Sequence, residues 1–400
     1  MRNRNEYAME KDATLQMYDL AYGGDGVGRL DGMAVFVRGA LPGETVRVQI
    51  SQKKKRFAQA HLQDVLERSP SRIDPICPLA ATCPGCAYQH LAYSEELAWK
   101  QRQLGSLLAR LGGVTAIPDF VPIASPAELE YRNKVTLHVG AGGELGYIGH
   151  DNRTLIDVPD CPLAVAPIRE AIRSVRDART QRWATGDTVT FRWTETDGVQ
   201  YWLNRQAPAK WLTEHVGERT WQVPAAAFWQ VNRPATPLLL AAVSRMVASC
   251  SPRHLLDLYC GSGFFSLELA PQVEHVLGIE WEGEAVHAAQ HNAALQGARN
   301  AVFIRGDAGG IYPEAQAQVS AQDTLVLVDP PRSGLAANLR EALVQSDRPR
   351  NILYVSCAPD TLARDCKVLC EQAYRIKDIA LLDMFPRTAH FESLVLLEHQ

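Results

Sequence analysis

The sequence predicts an α/β protein: a doubly wound domain over 229–400, preceded by a β-barrel over 1–68 and an α+β middle domain over 69–228. Two patterns carry this expectation. Beyond about residue 236, short apolar runs alternate with helical stretches, as parallel βαβ units require. From 14 to 66, apolar runs are separated only by turn residues, with no helical period between them.

The barrel strands include Met33-Ala34-Val35-Phe36-Val37 and Thr45-Val46-Arg47-Val48-Gln49-Ile50. Turns fall at Gly23-Gly24-Asp25-Gly26, Asp31-Gly32 and Pro42-Gly43. A Pro- and Cys-rich loop fills 67–90, and a helix is expected from Tyr93 to about Leu111, stopped by Gly112-Gly113. That helix, at 92–112, is expected to be free to pack on the doubly wound domain. Strands are expected in the middle domain at Lys134 to Val139, Leu145 to Gly149, Thr188 to Trp193 and Gln200 to Leu203.

Composition bounds the function classes. The 400 residues are 46% hydrophobic and 22% charged, with no apolar run long enough to span a bilayer and no leader-like segment. A soluble cytoplasmic protein without an obligate protein partner is expected. The net charge of -4 is not that of a global nucleic-acid binder. Lys53, Lys54, Lys55 and Arg56 nevertheless form a local basic run, which attracts phosphate over about a Debye length of 8 to 10 Å whatever the distant charges do.

The first strand of the doubly wound domain runs into Asp257-Leu-Tyr-Cys-Gly261-Ser-Gly263-Phe264, where glycines let a ligand approach the backbone. About twenty residues on, Glu280 ends the next strand, placed to accept hydrogen bonds from ribose hydroxyls. This pairing fits a nicotinamide dinucleotide and S-adenosylmethionine equally. Ser266 stands where a dinucleotide fingerprint requires Gly or Ala, which favours a ligand without phosphates. Asp307, after the third strand, is placed for an adenine amino group, and Asp329-Pro330-Pro331-Arg332 puts an acidic turn at the same crevice.

Cys357 follows a further buried strand and precedes Ala358-Pro359. Glu392 lies at the edge of the final strand, beside His390. A thiolate and a base suit a pyrimidine whose carbon 5 becomes nucleophilic only after addition at carbon 6, with later removal of the carbon 5 proton.

These motifs resemble the RNA 5-methyluridine methyltransferase family over nearly the whole chain. The resemblance rests on Asp257 to Gly263, Asp329 to Arg332, Ser356-Cys357-Ala358-Pro359 and Asp383-Met384-Phe385-Pro386 through Glu392. It implies a Rossmann-like S-adenosylmethionine methyltransferase domain with Cys357 as nucleophile and Glu392 as base. It also implies cofactor contacts at Gln230, Tyr259, Gly261, Phe264, Glu280, Asp307 and Asp329. Ala358 departs from the Asn usual at its position.

The amino-terminal barrel resembles a TRAM domain, an OB-like RNA-binding module. That makes Lys53, Lys54, Lys55 and Arg56 expected RNA contacts, and Arg132 and Lys134 of Tyr131-Arg-Asn-Lys look like further ones. The implied substrate is a uridine of 23S ribosomal RNA, with transfer RNA as the alternative.

Cys77, Cys83 and Cys86 have the spacing C-x5-C-x2-C in a loop with Pro78, Pro84 and Gly85. Cys161 repeats the Cys-Pro-Leu of Cys77 and is the expected fourth ligand. Spacing alone leaves zinc and iron-sulfur open. The resemblance implies a [4Fe-4S] cluster, with zinc as the alternative. A non-catalytic iron-sulfur RNA-binding protein would share the barrel and these cysteines, but it would not need the Asp329-to-Arg332 turn.

Overall fold

A computed structural model describes residues 12–177, 183–345 and 348–400. By their internal contacts these group into two units. The first contains the chain to Gln103 together with Tyr147–Ile156 and Arg387–Ala389, and the second contains Leu104–Gly146, Asp157–Pro386 and His390–Gln400.

The first unit holds a closed five-stranded barrel of β1 (Asp12–Leu20), β2 (Asp25–Leu30), β3 (Met33–Arg38), β4 (Thr45–Lys53) and β5 (Phe57–Glu67), in the order β1-β2-β3-β5-β4. Closure removes the unpaired edges that an open sheet would present. Alternation along the strands sends Leu15, Met17, Val35, Val37, Val46, Val48, Ala58 and Ala60 inward as its core. Each fully buried Val or Leu contributes about 1.5–3 kcal/mol.

Beyond the barrel, Arg72 binds Glu44 through two nitrogens and the Gly39 carbonyl through one, which anchors the start of the Cys-rich loop. Helix α1 (Tyr93–Arg110) begins in this unit, where the fully buried Lys100 pairs with Glu96 at 2.6 Å. Glu96 also accepts the Arg387 backbone N–H at 2.8 Å.

The second unit carries three sheets. The short strand β6 (Pro122–Ile123) belongs to the largest of them. Strands β7 (Lys134–Val139), β8 (Leu145–Ile148), β9 (Leu155–Asp157), β10 (Thr188–Thr194) and β11 (Gly198–Leu203) follow in the order β11-β10-β7-β8-β9, with Tyr147–Ile156 grouping with the first unit. Helix α2 (Ala166–Asp177) buries Ile168 and Ile172. A hairpin of β12 (Trp211–Val216) and β13 (Arg219–Pro224) leads into α3 (Thr236–Ala248).

The doubly wound part then runs β14 (His254–Asp257), α4 (Phe264–Leu269), β15 (His275–Glu280), α5 (Gly283–Gln296), β16 (Ala301–Arg305), α6 (Ala308–Ala317), β17 (Thr324–Val328), α7 (Ala337–Leu343), β18 (Asn351–Ser356) and α8 (Pro359–Gln372). Strands β19 (Tyr374–Leu382) and β20 (Glu392–His399) complete an eight-stranded sheet in the order β16-β15-β14-β17-β18-β20-β19-β6. Its strands β14 to β18 are parallel neighbours, whereas β20 enters antiparallel between β18 and β19. Every residue of β17 and β18 is buried, as expected for central strands covered on both faces.

The expected barrel, the helix near 93–111 and the parallel strands are all present. The hairpin β12–β13 and strands β6, β9 and β19 add to what the sequence led us to expect. Among the described residues, no helix is long and apolar enough to cross a membrane.

Candidate active site

Strand β14 delivers the chain to a sharp turn before α4, in which Gly261 and Gly263 both adopt positive φ, 54° and 85°. A side chain at Gly263 would be strained there and would crowd Leu267, Ala289 and Phe303 at 3.2–3.3 Å. Gly278 is needed for a different reason: a Cβ on it would lie 2.4 Å from the Phe303 ring. These close approaches hold the turn after β14 against β15 and place Glu280 beside it. Glu280 accepts the N–H of Gly261 at 3.1 Å and that of Glu282 at 2.8 Å.

Asp257, the last residue of β14, is fully buried and accepts the Ser266 hydroxyl at 2.6 Å, while its Oδ1 has no partner. Burial, reinforced by the charge of Glu280, pushes its carboxyl up to about 7. Burial, with the charge of Asp257, raises Asp329 likewise to about 7. Asp307 caps α6, accepting the Gly310 N–H at 2.8 Å, and Asn338 Nδ2 lies 3.3 Å from the same carboxylate.

A cavity of about 560 Å³ opens at this turn. It brings together Gln230, Tyr259, Gly261, Phe264, Glu280 and Asp329 of the expected cofactor set. Lys134, expected on the RNA side, lines the same cavity, whereas Asp307 does not. The segment bearing Gln230 is fixed by Asn133 Nδ2, which donates to the Gln230 carbonyl at 3.2 Å. Asn232 Nδ2 adds bonds to Ser125 Oγ and the Met384 carbonyl, both at 3.0 Å. Phe264 packs with Trp221, Trp229 and Phe265, ring centroids 5.0–5.7 Å away.

The residues present fit S-adenosylmethionine. An acidic side chain stands at the end of the second strand, apolar rings line the wall, and the buried Ser262 hydroxyl in the cavity lining has no protein partner.

Cys357 immediately follows β18, and Glu392 opens β20. The antiparallel register pairs Ser356 of β18 with Ser393 of β20, so the next position of that register sets Cys357 across from Glu392. Facing residues in such a ladder have Cβ atoms about 4.5–5.5 Å apart. Burial pushes the Cys357 thiol up to about 11, and the Glu392 charge adds to this. Arg332, from the turn after β17, opposes the shift through its charge and a side-chain hydrogen bond to the sulfur.

Burial also holds the Glu392 carboxyl well above the usual carboxylate range, with Asp329 adding to the effect and Arg332 opposing it. The turn at Ala358 is closed without an Asn side chain: Ser356 Oγ accepts the Ala358 N–H at 3.1 Å, and Thr361 Oγ1 donates to the Ala358 carbonyl at 3.0 Å. The signal for Arg332 lay in the Asp-Pro-Pro-Arg turn, where sequence reasoning had singled out only the acid.

Lys53 ends β4, and Lys54, Lys55 and Arg56 form the exposed turn before β5, with the Lys54 ammonium 5.1 Å from the Phe57 ring centroid. Arg132 is half-buried, its backbone held by Leu163 and Val165.

Cys77, Cys83 and Cys86 share the loop of the first unit, and Cys161 belongs to the second. The Gly85 N–H donates to Cys83 Sγ at 3.4 Å and Gln89 Nε2 to Cys86 Sγ at 3.5 Å. Among the described residues, however, no three His, Cys, Asp or Glu side chains are gathered as a metal site. The expected ligand set is therefore not shown, for iron-sulfur or for zinc.

Comparison with known proteins agrees with this architecture. Residues 213–400 match the family model described as tRNA (uracil-5-)-methyltransferase, and residues 17–62 match that of the TRAM domain. An uncharacterized RNA methyltransferase of Aquifex aeolicus is 32% identical over 97% of this chain and 99% of its own. The 23S rRNA (uracil(1939)-C(5))-methyltransferase of Aeromonas hydrophila is 31% identical, covering 94% and 93%. The crystal structure of Pyrococcus abyssi tRNA (uracil-54, C5)-methyltransferase with S-adenosyl-L-homocysteine superposes with a TM-score of 0.75 at 23% identity, over 96% of this chain and 100% of that one. With a Rossmann-like methyltransferase domain behind a TRAM barrel, the chain belongs to the tRNA (uracil-5-)-methyltransferase family.

Proposed function

We propose that this enzyme methylates carbon 5 of a uridine in RNA through a transient bond between Cys357 and carbon 6. The observation that carries the reading is that Cys357, just past the end of β18, and Glu392, the first residue of β20, act on each other electrostatically, with Arg332 acting on both. S-adenosylmethionine, when bound, supplies an electrophilic methyl group on sulfur.

The chain's own residues do the rest. Arg332 favours the thiolate against the burial that opposes it, and the sulfur adds to carbon 6, so that carbon 5 gains enolate character. Buried and beside the charge of Asp329, the Glu392 carboxylate is a stronger base than an exposed one. Once carbon 5 has gained the methyl group, the carboxylate takes the carbon 5 proton, and the electron pair left behind expels the sulfur. Gln230, Tyr259, Gly261, Phe264, Glu280 and Asp329 would hold the cofactor in the cavity. Asp307, capping α6, would approach the adenine.

The substrate we favour is 23S ribosomal RNA in the cytoplasm, supported by the Aeromonas hydrophila relative over most of both chains. Transfer RNA is the second reading, supported by the family description. Lys53 to Arg56 and Arg132 would meet phosphates. Incubation with unmodified 23S RNA or transfer RNA and methyl-labelled cofactor, followed by nucleoside analysis, should place label on carbon 5 of uridine in the ribosomal RNA. Label on an exocyclic amine would refute the reaction, and label confined to transfer RNA would refute the substrate.

We also propose that Cys77, Cys83 and Cys86 bind a structural [4Fe-4S] cluster. The reading is supported by the cysteine spacing. Protein purified without oxygen should contain iron and acid-labile sulfide in equal amounts. Stoichiometric zinc instead, or neither metal, would refute it.

A further inference from the structure

Among the described residues of the second unit, the half-buried Lys134 has no ion-pair partner. Lys134 and Arg192 are direct partners in the antiparallel pairing of β7 and β10, and two positive side chains facing each other across strands destabilise a sheet. Only one of the two is neutralised. Arg192 binds Glu214 at 3.0 Å and the carbonyls of Pro224, Ala225 and Ala227 at 3.0–3.2 Å. Lys134 has no ion pair among the described residues, and its ammonium rests 6.0 Å from the Trp202 ring centroid. Burial, with Arg192 adding to it, lowers the Lys134 ammonium to about 8.

A half-buried lysine opposite an arginine is costly unless something anionic completes it. Lys134 lines the same cavity as Gln230 and the turn of Gly261. The walls of that cavity differ in charge: Glu280, Glu282 and Glu284 come from the β15–α5 side, whereas Lys134 is contributed by β7. A ligand carrying ribose hydroxyls at one end and a carboxylate at the other matches this polarity. At the turn itself, Phe264 offers that carboxylate no hydrogen bond, because its side chain is a ring packed among Trp221, Trp229 and Phe265.

We propose that Lys134 binds the carboxylate of the amino-acid end of S-adenosylmethionine, and is thus a cofactor residue rather than an RNA contact. The assignment rests on the function proposed above. It makes the like-charged pair of β7 and β10 a device that keeps the ammonium unpaired until the cofactor arrives.

Calorimetric titration with two probes tests it. S-adenosyl-L-homocysteine carries the carboxylate, and 5′-methylthioadenosine lacks the whole amino-acid end. Lys134→Met should weaken S-adenosyl-L-homocysteine about tenfold or more while leaving 5′-methylthioadenosine within about twofold, the loss expected for one charge-assisted bond. Lys134→Arg should restore most of the difference.

Equal weakening of both probes would reveal a merely structural role and overturn the assignment. So would unchanged S-adenosyl-L-homocysteine affinity with weakened binding of RNA. Failure of the unaltered protein to bind either probe would instead overturn the cofactor reading on which the assignment rests.

Discussion

Ser266 shows how a single hydroxyl decides the character of the cofactor turn. Its Oγ donates to the fully buried Asp257, so the residue is a hydrogen-bond partner of the strand end and not a misfit in helix packing. Without it, the carboxyl would lose a donor in a place where burial already opposes its charge. Ser266→Ala should therefore destabilise the protein by about 1–3 kcal/mol, read from denaturant unfolding. An unchanged midpoint would remove Ser266 from this role. The sequence made Ser266 conspicuous as a departure from the dinucleotide pattern, but it could not show the bond, because the partner lies nine residues earlier across the turn. Arg332 was hidden for a similar reason: its effect on Cys357 and Glu392 depends on three strand ends meeting.

Among the elements, the turn between β4 and β5 is the most legible, since a basic run between two apolar alternations can only be an exposed connection. If it meets RNA phosphates, replacing Lys53, Lys54 and Lys55 by Ala should weaken RNA binding and reduce the slope of log affinity against log salt by up to about 2–3. Salt dependence that is unchanged in the triple variant would exclude the turn from the RNA surface.

Other elements escaped sequence reading for identifiable reasons. Strand β12 turns Leu212, Glu214 and Val216 inward, and the charged Glu214, buried because Arg192 pairs with it, breaks the apolar alternation. Strand β19 shifts register between Ile376 and Asp378, which interrupts its period of two. Strand β6 has only two residues, one of them a proline, and carries no period at all.

At the scale of the molecule, the two units are not sequential blocks. Residues 147–156 and 387–389 group with the first 103, a consequence of long-range contacts that no local pattern announces. The doubly wound sheet was legible because its buried strands and intervening helices repeat along the chain. The insertion of β20 between β18 and β19 was not, although it is the step that sets Glu392 across from Cys357.

That juxtaposition is the centre of the account, and trapping the covalent intermediate tests it most directly. With RNA and S-adenosylmethionine, Glu392→Gln should accumulate a protein–RNA adduct that survives denaturing electrophoresis and carries the methyl group, while Cys357→Ala should form none. An adduct in the Cys357→Ala protein, or normal release of methylated RNA by the Glu392→Gln protein, would contradict it.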